Sequence, residues 1–161
     1  MDLDPKKASF ENVPGCTFYK LRDERYMLFF TKAIFQVNMN REKPLTFVHP
    51  DGRRFRTRLD FESDMGSTPY VTRLFFPKDR FLNSYFFHDD LWENGGLYVA
   101  QPGEETFEFV EMSRIEGNRL LRLMTMVEGA GKVRASSIMA AVDVAAAWQA
   151  VFRDQEERMK Q

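Results

Sequence analysis

Residues 45–61, LTFVHPDGRRFRTRLDF, decide the fold. Two apolar-rich runs flank Pro50-Asp51-Gly52. Proline presets φ for a turn, aspartate bonds backbone two residues on, and glycine reaches positive φ without a Cβ clash. The segment therefore predicts a β-hairpin. After the turn, Phe55, Thr57, Leu59 and Phe61 alternate with Arg54, Arg56, Arg58 and Asp60. A period of two puts the first set against a core and the second on a basic outer face. Residues 27–39, MLFFTKAIFQVNM, follow the same rule, with Ala33, Phe35, Val37 and Met39 facing inward. The first half of the chain thus reads as a small antiparallel sheet. Residues 1–25, with Pro5, Pro14 and Gly15, read as an arm or loops.

The period then changes. Over residues 79–92, Phe81, Tyr85, His88 and Trp92 share one helical face, with Leu82, Phe86 and Asp89 beside it. Gly95-Gly96 ends that helix. Residues 97–112 read as a long loop in which TFEFVEM forms a short strand. Ser113 followed by Glu116 is a capping box, opening a helix that runs to about Glu128 and is broken by Gly129 and Gly131. A last helix spans roughly residues 133–158, where Ala140, Ala141, Ala145, Ala146 and Ala147 permit close packing. The expected fold is α+β: a small N-terminal antiparallel sheet packed against three or four C-terminal helices. Residues 26–161 form its single domain, behind an arm of residues 1–25.

Composition bounds the function. A chain of 161 residues suits one hydrophobic core, and 43% hydrophobic with 14% aromatic residues excludes global disorder. Lys and Arg number 23 against 24 Asp and Glu, a formal charge of −1 that argues against general nucleic-acid binding. Cys16 is the only cysteine, so neither an internal disulfide nor a thiolate metal cluster can form. The N-terminus has no apolar signal region, and the apolar run at 136–152 is interrupted by Asp143 and Gln149. No membrane span is expected, and the expected compartment is the cytoplasm.

The chemistry concentrates in residues 61–92, FESDMGSTPYVTRLFFPKDRFLNSYFFHDDLW, where polar groups sit among aromatics. Asp64, Ser67 and Thr68 suit turn chemistry and N-capping. His88 shares a face with Phe81, Tyr85 and Trp92 and should point inward, where buried acids beside it need compensation. Three readings follow. In the first, Asp64, His88 and Asp89 hold a divalent metal, with water completing the shell, for metal-assisted hydrolysis. In the second, His88 acts as general base on water or Ser67, an acid orients the ring, and Arg114 or Arg119 compensates charge. In the third, the cluster is a buried polar network that pins the loop to the helix. No Gly-x-Ser-x-Gly elbow is present.

The segments SDMGSTP, FFHDDLW and SRIEGNRLLRLM, in that order, resemble the domain of unknown function 1353, found in bacteriophages and prophages. Asp64, Ser67 and Pro69 match that family's Asp-x-x-Ser-x-Pro loop. His88, Asp89, Leu91 and Trp92 match its His-Asp-x-Leu-aromatic helix, and Arg114 begins its later motif. The likeness covers roughly residues 26–145. Asn118 stands where the family carries an acid, Tyr70 where a basic residue is common, and Asp90 where a tyrosine is usual. The resemblance implies a phage or prophage origin, a place in the host cytoplasm or a virion, and a shared polar cluster. Two functions are expected from the site: a hydrolase using Asp64, Ser67, His88, Asp89 and Arg114, or a virion, tail or host-factor-binding accessory protein whose cluster is structural.

Overall fold

The computed structural model describes residues 4–11, 18–26, 30–37, 44–59, 61–63 and 80–144, the stretches 18–26 and 30–37 by their backbone alone. A short 3-10 turn, Pro5–Lys7, precedes β1 (Ser9–Glu11). Then come β2 (Phe18–Tyr26), β3 (Phe30–Val37), β4 (Thr46–Val48), β5 (Arg54–Arg56) and β6 (Glu62–Ser63). Helix α1 (Leu82–Asn94) is followed by β7 (Gly96–Ala100), β8 (Glu108–Glu111) and α2 (Arg114–Val127). Residues 132–144 are helical and are called α3. The result is an α+β fold, with sheet built largely from the first half of the chain and helices from the second.

The Pro50-Asp51-Gly52 turn forms as the sequence requires. Gly52 has φ 91° and its N–H donates to the His49 carbonyl at 2.9 Å. Pairing of β4 with β5 extends on both sides into a five-stranded antiparallel sheet, β1-β4-β5-β7-β8. Its register fixes both faces. Phe10, Phe47, Phe55 and Val99 are paired in one cross-strand row. Phe47 and Phe55 in that row are almost fully buried. The neighbouring row, Glu11, Thr46, Arg56, Tyr98 and Phe109, lies on the opposite face. Directly opposed residues project to the same side of a sheet, so the first row makes core, while Glu11, Tyr98 and Phe109 of the second are exposed and Thr46 alone in it is buried.

Three expectations need correction. Residues 97–112 are not one long loop: Gly96–Ala100 and Glu108–Glu111 are a strand pair that completes the sheet. The alternation over 97–100 was too short to separate from loop. Residues 1–25, read as an arm or loops, contain β1 and nearly all of β2. Strand β2 pairs with β3, and β3 with β6, in a second, three-stranded antiparallel sheet. The alternation proposed through Phe61 places Phe55, Thr57 and Phe61 inward as expected, but the strand stops at Arg56 and Leu59 is exposed. Met27–Phe29, Met39, Cys16 and residues 145–158 of the expected last helix lie outside the described residues.

Helices cover the apolar face of the larger sheet. Phe86, Phe87 and Leu91 of α1 and Leu120, Leu123 and Met124 of α2 share one core with Leu45, Phe47, Phe55 and Leu97. Each fully buried large side chain is worth about 1.5–3 kcal/mol relative to exposure, so this aromatic layer is the main cohesive term. A second cluster, Phe81, Tyr85, Leu121, Ala130, Ala135 and Ile138, joins α3 to α1 and α2. Gly95 ends α1 in the left-handed region at φ 73°, its N–H donating to the Leu91 carbonyl at 2.7 Å. The capping box of α2 is complete: Ser113 and Glu116 bond each other's backbone N–H groups.

The two long helices touch closely at Gly117. A Cβ there would overlap the buried Leu91 side chain, so the glycine sets the α1–α2 distance. Alanine would normally favour a helix by about 1 kcal/mol over glycine. At this position the overlap reverses the sign. Gly117→Ala should lower unfolding free energy by roughly 1–3 kcal/mol, the usual cost of overpacking. Chemical denaturation of the variant checks this, and a stabilised Gly117→Ala protein would contradict it.

Candidate functional site

Helix α1 carries a polar side chain toward each of its neighbours, and each is bonded. At its N-terminus Phe81 offers no capping side chain. The carboxylate of Glu128, just past the end of α2, takes that role. It accepts from Asn83 N–H at 3.2 Å and Ser84 N–H at 3.0 Å, and from both their side chains. Orphan N–H groups and the positive helix end both favour a carboxylate there. Burial pushes the Glu128 pKa up, and the bonds from Ser84 and Asn83 oppose that shift.

Asp90, 1% exposed, faces the sheet. Its carboxylate accepts from the Arg58 backbone N–H and from Arg58 Nε, each at 2.9 Å, and from the Asn94 amide. Burial raises its pKa while the Arg58 contacts lower it. The sequence signal for this pair was Arg58 on the strand's outer face and Asp90 on α1. Nothing in their spacing of 32 residues linked them.

Asp89 turns toward the second sheet. Its carboxylate accepts from the hydroxyl of Ser63 at the end of β6. His88 points elsewhere, since consecutive helical residues are set about 100° apart. It packs toward α2 and α3. Trp92 Nε1–H donates to His88 Nε2 at 2.6 Å, and Asn118 Oδ1 lies 3.1 Å from the same nitrogen. The Asn118 amide N–H in turn donates to the Asp143 carboxylate on α3. The expected site residues therefore diverge: the structure brings Asp89 to Ser63, and His88 to Trp92 and Asn118. Among the described residues, Arg114 reaches the cluster through the indole, its guanidinium 4.6 Å from the Trp92 ring centroid. Asp64 and Ser67 lie outside the described residues.

The Nε2 contacts define the chemistry of the ring. A nitrogen that accepts from Trp92 has its lone pair engaged, and the proton of the neutral imidazole then sits on Nδ1. Neither ring nitrogen is left to bind a metal or abstract a proton in that tautomer. Asn118 cannot turn its N–H₂ toward the histidine without giving up Asp143. Protein atoms crowd the ring, and this desolvation takes the His88 pKa down to about 4, against smaller opposing effects of Asn118 and Asp143. The void beside it, lined by Phe87, Leu91, Leu97, Gly117 and Leu120, is too narrow to admit a water molecule. Among the described residues, no group of three or more His, Cys, Asp or Glu side chains is placed to hold a metal ion. Among them too, no helix is long and apolar enough to cross a membrane.

Sequence reasoning missed Asn118 and Asp143 as partners of His88. Asn118 was noted only as a replacement for an acid, and Asp143 only as an interruption in an apolar run. Helical spacing gives the face of a residue on its own helix, not the side chain it meets on another.

The depressed His88 pKa has a definite consequence. In the unfolded chain His88 titrates near 6.5; in the folded chain it titrates near 4. Between these values the unfolded state binds the extra proton, so stability falls as pH falls through 6.5 and the loss levels off near 4. The full difference corresponds to about 3 kcal/mol. Asp90 and Glu128, raised by burial, act in the opposite direction as they take up protons. Urea unfolding from pH 7.5 to 5 should show this decline, and a folded His88→Gln variant should show a flatter one. Equal pH profiles would contradict the assignment.

No protein-family model matches the chain, and neither a curated protein nor a solved structure resembles it significantly, so the geometry itself carries the functional argument.

Proposed function

We propose that this chain is a non-enzymatic binding or accessory protein in which the His88 cluster is a structural clasp. The observation that supports this most is the engagement of His88 Nε2 by Trp92, beside an apolar void too narrow for a water molecule. A general base needs an accessible lone pair and room for the group it deprotonates. A ligand-binding nitrogen needs the same. Asn118 instead hydrogen-bonds Asp143, linking α2 to α3, and its Oδ1 lies against the His88 ring of α1. Asp89 with Ser63 and Asp90 with Arg58 fasten the other sides of α1 to the two sheets. A phage or prophage origin, with a virion protein or host factor as partner, is the part of the proposal that rests on the sequence resemblance.

One observation favours the hydrolase reading as a second possibility. Ser63, bonded to Asp89 of α1, immediately precedes Asp64 in the sequence. Metal content separates the two readings. Elemental mass spectrometry of the purified protein, with Asp64→Ala, Asp89→Ala and His88→Ala, is the test. The clasp reading predicts a substoichiometric metal content that the variants do not change, together with lowered melting temperatures for His88→Ala and Asp89→Ala. Stoichiometric metal in the wild type that is lost in all three variants would overturn it in favour of the hydrolase.

A further inference from the structure

The outer face of the five-stranded sheet carries a feature that the clasp does not use. Pro44, Arg56, Thr57, Arg58, Tyr98 and Phe107 line an open groove of about 460 Å³ together with Leu59. That volume is in the range of small-molecule sites and much larger than a bare oxyanion needs. Its cations are unequally committed. Arg58 pairs with Asp90 and Glu93. Arg54 donates to the Glu104 carbonyl. Arg56 bonds only the Thr46 hydroxyl, through Nε at 3.0 Å, and no carboxylate lies within ion-pair distance of it among the described residues. Glu11 acts on it through space, and Arg54 opposes it. The Arg56 guanidinium sits 3.7 Å from the Phe107 ring centroid, and Arg54 approaches the same ring at 5.3 Å.

Two guanidiniums on one ring, one without an acid, make a place where an anion is favourable. The walls ask for more than charge. Tyr98 is 37% exposed, and with Phe107, Pro44 and Leu59 it gives the groove flat, apolar surfaces. Thr57 also lines it, and the buried Thr57 hydroxyl has no hydrogen-bond partner. The segment beyond the groove carries Glu104, Glu105, Glu108 and Glu111. These carboxylates would repel a long phosphate backbone, so the fit is to a small ligand rather than a polynucleotide.

We propose that this groove binds a small anion joined to a planar aromatic body, of the nucleoside monophosphate class, with Arg56 on the anionic group and Tyr98 and Phe107 beside the ring. The site lies on the sheet face away from His88 and stands independently of the clasp.

Isothermal titration of the full chain with adenosine monophosphate tests it, with adenosine and inorganic phosphate as partial ligands. Arg56→Gln removes the uncommitted charge, Phe107→Leu removes the ring, and Arg119→Gln removes an exposed charge on α2 as a control. The expected result is saturable binding of the monophosphate, tighter than either partial ligand. Arg56→Gln and Phe107→Leu should each weaken it about tenfold, while Arg119→Gln leaves it unchanged. Melting temperatures of the variants establish that each is folded. Absence of saturable binding would overturn the proposal. Equal affinity for inorganic phosphate, or equal weakening by Arg119→Gln, would overturn it as well.

Discussion

Helix α1 is packed against both sheets and both other helices, so its polar groups must be bonded by protein rather than by bulk water. Ser84, Tyr85, Phe86, Phe87, Asp90 and Leu91 of this one helix are buried. An unpaired buried carboxylate costs several kcal/mol, which makes the partners of α1 obligatory and not decorative. Glu128 supplies its missing N-cap, Arg58 neutralises Asp90, Ser63 holds Asp89, and Trp92 with Asn118 encloses His88. These contacts come from four directions. Together they fix the rotation of α1 about its axis, which apolar packing alone would specify less sharply. The Tyr85 hydroxyl is the exception: it is buried without a partner, and burial pushes its pKa up to about 12.

Much of the fold was legible because it follows from local rules. The Pro50-Asp51-Gly52 turn, the Ser113–Glu116 capping box and the Gly95 helix stop are each settled by a few adjacent residues. The β7–β8 pair was not legible. Its first strand begins at a glycine and spans five residues, too few for period two to declare itself, and it exists because β5 offers an edge. Likewise β2 is a nine-residue strand whose charged sequence, FYKLRDERY, hides its pairing with β3. Tertiary context decides such segments.

The site was legible in part and for a related reason. Helical spacing placed His88 on the inward face with Trp92, and that pair does bond. It could not separate the directions of His88 and Asp89 as destinations, because adjacency in sequence suggests a shared site while helical geometry sends neighbours to different elements. Opposite a neutral histidine that accepts from Trp92, an amide held by Asp143 avoids a second buried negative charge. That arrangement is consistent with a clasp. On the sheet's far face, the alternating arginines of residues 54–58 that first indicated a basic surface instead divide their roles. Arg58 serves the core through Asp90, Arg54 serves a loop, and Arg56 remains turned to an aromatic groove.

The central claim is that His88 Nε2 is consumed by the protein's own contacts. Nitrogen-15 NMR of the imidazole side chains across pH 8 to 4 tests it most directly, with a His49→Gln variant assigning the two histidines. The account predicts a neutral His88 ring protonated at Nδ1, with chemical shifts constant down to about pH 5 and an apparent pKa of about 4. A ring that titrates near the ordinary histidine value of about 6.5, or that carries its proton on Nε2, would contradict it.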